Sequence, residues 1–149
     1  MKRILSCTAL AVLVLTTAGC DEKLSDITGP TPDLTPTLGS IQRTIFNVTD
    51  SSGRLACVGC HSDQGRQAAG GLVLLEGRAY DALVGRASTG KPGATRVVPG
   101  DPDNSYLVHK LEGKSDIVGQ RMPRGNGPFL TEGQMLVIRR WIQEGAANN

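Results

Sequence analysis

Cys57-Val58-Gly59-Cys60-His61 is the stretch of this chain with the most chemistry in it. Two thiols two residues apart, followed at once by an imidazole, form the pattern through which haem c is attached covalently. The spacing has a mechanical reason. Two intervening residues let both sulfurs meet the edge of one flat macrocycle, and a ligand directly after the second sulfur then lies beneath the iron. If the motif has this role, the rest of the chain must wrap a porphyrin, supply a second axial ligand and set a redox potential.

The same residues have other uses. A Cys-x-x-Cys pair is half of many zinc sites, which need two further ligands. The other cysteines are Cys7 and Cys20, both N-terminal, and the other histidine is His109, so four zinc ligands are hard to gather. A thioredoxin-like redox pair follows a strand and opens a helix. Here the preceding stretch, Thr49-Asp50-Ser51-Ser52-Gly53-Arg54, is a polar loop. The haem reading leads.

Three residues beyond the N-terminal segment can complete the iron's coordination: Met122, Met135 and His109. Met135 sits on the apolar stripe of a helix, where methionine serves as core filler. His109 is offset by two positions from both Leu107 and Leu111 and points away from their face, toward solvent. Met122 is a lone apolar residue in a polar, glycine-rich loop, stiffened by Pro123. A thioether is a soft ligand that suits haem iron with histidine opposite, and Met122 is the favoured sixth ligand. Arg121 and Arg124 flank it as candidates for the haem propionates or as plain surface charge.

The elements that must position these groups read as short helices. Ser40 to Val48 predicts a first helix, with Ser40 as N-cap and Ile41, Ile45 and Val48 at i, i+4, i+7; Phe46 lies beside that stripe. Leu72 to Leu75 is a buried turn or a short strand. Ala79 to Val84 has helical spacing, and residues 85–100 read as loop. Asp101-Pro102-Asp103-Asn104 opens a helix through Leu111, with Leu107 and Leu111 on one face. Gly113 to Pro128 is a second loop. Thr131-Glu132-Gly133-Gln134 matches a capping box. Met135, Ile138 and Ile142 then form a stripe with Trp141 adjacent, and Gly145 is the expected residue just past the helix end.

The N-terminus carries export signals. Lys2 and Arg3 precede an apolar run from Ile4 to Leu15 that is too short to span a bilayer with margin. The run ends in Thr16-Thr17-Ala18-Gly19-Cys20, which resembles the lipobox of bacterial lipoproteins, with Thr17 where leucine is commoner. The resemblance implies a diacylglyceryl group on Cys20 and cleavage after Gly19; the alternative is an ordinary signal peptide with a stray cysteine. Asp21 resembles the residue that keeps some proteobacterial lipoproteins in the inner membrane. Residues 1–19 are then a signal peptide, and 20–40 a lipidated N-terminus with a Pro/Thr-rich linker, extended at about 3 Å per residue where proline fixes it. Residues 41–149 are one domain.

Composition agrees with a cofactor-filled core. The chain has 149 residues, of which only 3% are aromatic, a thin supply of large apolar side chains for a small domain. Two of the 16 Lys and Arg and none of the 14 Asp and Glu lie in residues 1–19, leaving 14 of each sign. A neutral mature chain lacks the concentrated positive charge that nucleic-acid binding needs. The cysteines are all assigned: Cys7 leaves with the signal, Cys20 takes lipid, and Cys57 and Cys60 take haem, so no thiol is left over in an oxidising compartment.

Over residues 41–146 the chain resembles the class I c-type cytochromes, and more closely the small bacterial monohaem domains. The matching residues are Cys57-Val58-Gly59-Cys60-His61, Pro99-Gly100-Asp101-Pro102-Asp103-Asn104-Ser105, Met122-Pro123 and Trp141-Ile142-Gln143-Glu144-Gly145-Ala146. The resemblance implies an all-α cytochrome c fold, about four helices wrapped around one covalent haem, with crossed first and last helices. It implies single-electron transfer with redox donor and acceptor proteins as partners, on the periplasmic face of a membrane or at the cell surface, and no small-molecule substrate. In the family the first helix often runs almost directly into the motif; here Thr49 to Ala56 intervenes. A haem subunit of a larger oxidoreductase fits the same residues. An open-site haem peroxidase or gas sensor is the enzyme-class alternative, separated by whether Met122 binds the iron. With His61 and His109 as the only histidines, no nucleophile–histidine pair can be argued.

Overall fold

The computed structural model describes residues 34–149 apart from Asn126. Cys20, the signal segment and the linker up to residue 33 lie outside the described residues. The architecture is all-α, with four α-helices among the described residues and no strands, only isolated bridges in the 84–101 region. None of these helices is long and apolar enough to cross a membrane.

Helix α1 spans Leu38–Ile41 and runs on into a π-helical turn, Gln42–Phe46. Its N-cap is Thr37, whose hydroxyl accepts from the Ser40 amide; Ser40 itself is inside the helix and buried. The start expected at Ser40 is therefore corrected to one inside the expected linker, and Leu34 also packs on the core. Thr37 has the extended backbone an N-cap needs, and a hydroxyl there satisfies a donor that has no partner inside the helix. The π turn changes the register as well. With the Asn47 amide bonded to the Gln42 carbonyl, the chain is wound more loosely than an α-helix. Ile41, Ile45 and Phe46 stay buried, while Val48, expected on the same stripe, is 40% exposed.

Short 3₁₀ turns cover Cys57–Gly59 and Ala69–Gly71. Helix α2 is Ala79–Leu83. The run Leu72 to Leu75 is irregular backbone, neither strand nor turn, and of the four only Leu74, at 3% exposure, is buried. The helix expected from Asp101 is split: a 3₁₀ turn, Pro102–Asn104, precedes α3, Tyr106–Glu112. Ser105 breaks it, because its extended backbone cannot continue a helix and its hydroxyl bridges the Asp101 carbonyl to the Val98 amide. Helix α4, Glu132–Gln143, begins with the expected capping box on Thr131 and Gln134, and Gly145 follows its end with φ +100°.

Helices α1 and α4 pack on one another in a single core. Ile41, Ile45, Leu83, Val97, Val108, Ile138, Trp141 and Ile142 are all sealed from water. Trp141 keeps its polar end satisfied by donating Nε1–H to the Ala147 carbonyl at 2.8 Å, as a buried indole must. Met135 packs against this core at half-burial, as the stripe predicts.

Candidate functional site

The Cys57–Gly59 turn fixes the motif. Its bonds, from Cys60 N–H to the Cys57 carbonyl at 3.1 Å and from His61 N–H to the same oxygen at 2.9 Å, bring the three functional side chains within one tight loop. Cys57 is half-buried and Cys60 exposed, and both are free thiols. Burial pushes the Cys57 thiol's pKa up, and the charge of nearby Arg54 is the largest influence opposing it.

The imidazole of His61 is held by its Nδ1, 3.0 Å from the Ala69 carbonyl. A carbonyl only accepts, so Nδ1 carries the proton and Nε2 keeps its lone pair. Burial lowers the pKa of this histidine, against the opposing pull of the Ala69 carbonyl. A neutral ring whose Nδ1–H is held by the backbone is the form in which histidine binds metal through Nε2.

His61, Cys57 and Met122 line one cavity of about 270 Å³. Its walls are mostly apolar: Phe46, Leu72 and Leu74 from the motif side, Leu83 from α2, Leu107 and Leu111 from α3. The Leu107/Leu111 face is the one the spacing predicts. Cys60 does not line the cavity.

Met122 reaches the cavity because its loop is strapped to α3. Its amide donates to the Lys110 carbonyl at 2.8 Å, and the Lys110 ammonium donates to the Val118 carbonyl at 3.0 Å and to the Gln120 carbonyl. One residue of α3 therefore holds the loop through two of its groups, the backbone carbonyl and the ammonium. Arg121 adds another tie, donating Nε–H to the Leu111 carbonyl at 2.7 Å and lying 3.9 Å over the Phe129 ring. Gly113, at φ +73°, makes room for it: a Cβ there would sit 2.8 Å from Arg121 Cδ. Arg121 thus points to backbone and an aromatic face, and Arg124 bonds Gln120 at 3.2 Å.

The other two candidates for the sixth ligand do not line the cavity. His109 is turned away from it, as its spacing implies, but it is not a solvent-facing ring. Its side chain is 16% exposed and lies between the Asp116 carboxylate at 2.9 Å and the Asp103 carbonyl at 2.6 Å. Asp116 also accepts from Lys91 at 2.6 Å, and these two bonds hold its carboxyl at a pKa of about 2.

Three cationic residues that sequence reasoning passed over belong to the site. Lys110 has the strapping role above and also lines the cavity. Arg96 lines it too, anchored to the Ala82 carbonyl at 2.8 Å and to the Gly70 and Gly71 carbonyls. Arg54 lies under Cys57 and is 1% exposed. A scattered Arg or Lys in a loop carries no periodic signal, so nothing in the pattern marked them.

One imidazole nitrogen and one thioether sulfur facing a shared apolar space can take a metal between them, and the adjacent thiols can tether a group carrying it. No group of three or more His, Cys, Asp and Glu is gathered for a metal among the described residues. Comparison with protein-family models, with curated proteins and with solved structures finds no match.

Proposed function

We propose that the chain is a monohaem c-type cytochrome that carries single electrons, with the fold of that family and iron ligated by His61 and Met122. The observation that carries this reading is the convergence of Cys57, His61 and Met122, more than sixty residues apart at their extremes, on one apolar cavity. The residues fit the group. Cys57 and Cys60 provide the two thiols for covalent tethering, His61 offers Nε2, and Met122 offers a thioether from a loop tied to α3 through Lys110 and Arg121. Bound haem c supplies a one-electron iron couple. The protein's part would be to hold the iron through His61 and Met122, exclude water with the leucine walls, and supply Arg96 and Lys110 as cations in the cavity lining. With His61 and Met122 both holding the iron, no position would be left there for a substrate, so the reading is electron carriage and not catalysis.

The test is direct. Thioether links survive denaturation, so expression with the haem-attachment machinery should give a chain that stains for haem in a denaturing gel. Its pyridine haemochrome spectrum should correspond to one haem c per chain. A colourless purified chain under those conditions rules the reading out.

The proposal extends to residues outside the described ones: lipid on Cys20 tethers the carrier to the periplasmic face of a membrane or to the cell surface. Stable anchoring needs more than one acyl chain, and the diacylglyceryl group supplies two. Wild type should fractionate with membranes, and Cys20→Ala should move the protein to the soluble fraction or leave it unprocessed. A soluble wild-type protein would remove the anchor from the proposal and leave the haem site untouched.

A further inference from the structure

Thr49 to Ala56, the segment that intervenes between the first helix and the motif, contains a charge with no surface role. The side chain of Arg54 has no exposure, whereas Asp50, its ion-pair partner, is 22% exposed. Its Nε–H donates to Asp50 Oδ2 at 2.9 Å, and its Nη1–H donates to the Ile45 carbonyl at 3.2 Å. Nη1 also lies 3.9 Å from Cys57 Sγ. Nη2 is buried with no hydrogen-bond partner among the described residues. A buried guanidinium with an unmet donor is costly to hold. A merely structural tie from this loop to the π turn would not need a full charge.

The arrangement is polarised. The compensating carboxylate is on the solvent side, where water and salt screen it. The guanidinium is on the protein side, against the sulfur that faces the cavity, where the lower dielectric leaves its field stronger. There is a second consequence at the Ile45 carbonyl. The Cys57 thiol reaches it at 3.7 Å, and a cysteine alkylated to a thioether has no S–H to donate. Arg54 Nη1 keeps that carbonyl satisfied in the tethered protein.

We infer that Arg54 is a positioning residue for electron transfer: it seats Cys57 at the cavity and, as a buried cation beside the tethered group, raises the midpoint potential. This rests on the haem reading above. Ferric iron carries one more positive charge than ferrous, so a fixed cation nearby disfavours the oxidised state. Asp50 opposes that effect and sets its size.

Three variants separate this from a purely structural role: Arg54→Gln, Arg54→Lys and Asp50→Asn, each measured by potentiometric titration of the haem-loaded protein and by haem stain of the denatured chain. Arg54→Gln should lower the midpoint potential by an amount that corresponds to about a tenfold change in the reduction equilibrium, 59 mV for one electron. Arg54→Lys, which keeps the charge, should recover most of that shift. Asp50→Asn should move the potential the opposite way, upward, and it retains an oxygen to accept the Nε–H if the arginine variants do not accumulate. Haem-bearing variants whose potentials stay at the wild-type value, or an Asp50→Asn shift that is downward or absent, overturn the inference while the haem reading stands. A wild-type chain without covalent haem overturns both.

Discussion

Replacing Cys57 and Cys60 together by alanine is expected to give a chain that shows no haem in a denaturing gel and does not accumulate as a folded protein. The first half follows from covalency: without thioethers, His61 and Met122 alone would have to retain the group through denaturation, and coordination bonds do not. The second half follows from packing. The cavity shared by His61, Met122 and the leucines measures about 270 Å³. At ~24 cal/mol per Å³, leaving that volume unfilled costs on the order of 6 kcal/mol, an upper figure because water can enter. The net stability of a small domain is ~5–15 kcal/mol, so the loss takes a large share of it. The chain has little to offset it with, since 3% of its residues are aromatic and Trp141 and Phe46 are already in the core. The check is a haem-stained gel beside an immunoblot and a thermal melt. A double variant that is abundant, folded and as stable as wild type would show that the cavity does not need a tethered group. The single variants should be graded: Cys57 lines the cavity and Cys60 is exposed, so Cys57→Ala should be the more damaging.

What was legible in the sequence was local. The capping box at Thr131 and Gln134, the stripe of α4 and the Leu107/Leu111 face of α3 are each set by spacing within a turn or two, and each is present. The start of α1 was misread because Thr37 and Ser40 are both competent caps, and which hydroxyl is used depends on where the chain turns in from Leu34. The fate of Val48 was hidden by the π turn, which periodicity at 3.6 residues cannot register. The cations were least legible. Arg54, Arg96, Lys110 and Arg121 each bond backbone carbonyls, of Ile45, Ala82, Val118, Leu111 and others, whatever else they contact. Carbonyl partners are created by the fold and leave no mark in composition. Met122 was readable for the opposite reason: one apolar side chain in a polar loop has few explanations.

That methionine decides between electron carriage and chemistry at iron. Thioether sulfur favours ferrous over ferric iron, so the proposed His61–Met122 ligation would raise the potential. The ferric wild-type protein should show the weak near-infrared charge-transfer band of an iron–methionine bond, and the ferrous protein should bind carbon monoxide poorly. Met122→Ala should abolish the band, open the sixth position, admit carbon monoxide at least tenfold more readily and give weak peroxidase activity. It should also lower the potential, on the order of 0.1 V within the ~0.8 V range that axial ligands span. Met122→His should lower the potential comparably, through a harder nitrogen donor, while keeping the iron six-coordinate and closed to carbon monoxide. The strap gives a separate control. Lys110→Ala removes the ammonium from the Val118 and Gln120 carbonyls but leaves the backbone bond from the Met122 amide to the Lys110 carbonyl. It should loosen the loop and weaken the near-infrared band without removing it. If the wild-type protein lacks that band and takes up carbon monoxide freely, Met122 is not the ligand. A gas sensor or peroxidase with an open sixth site then becomes the better account of the cavity.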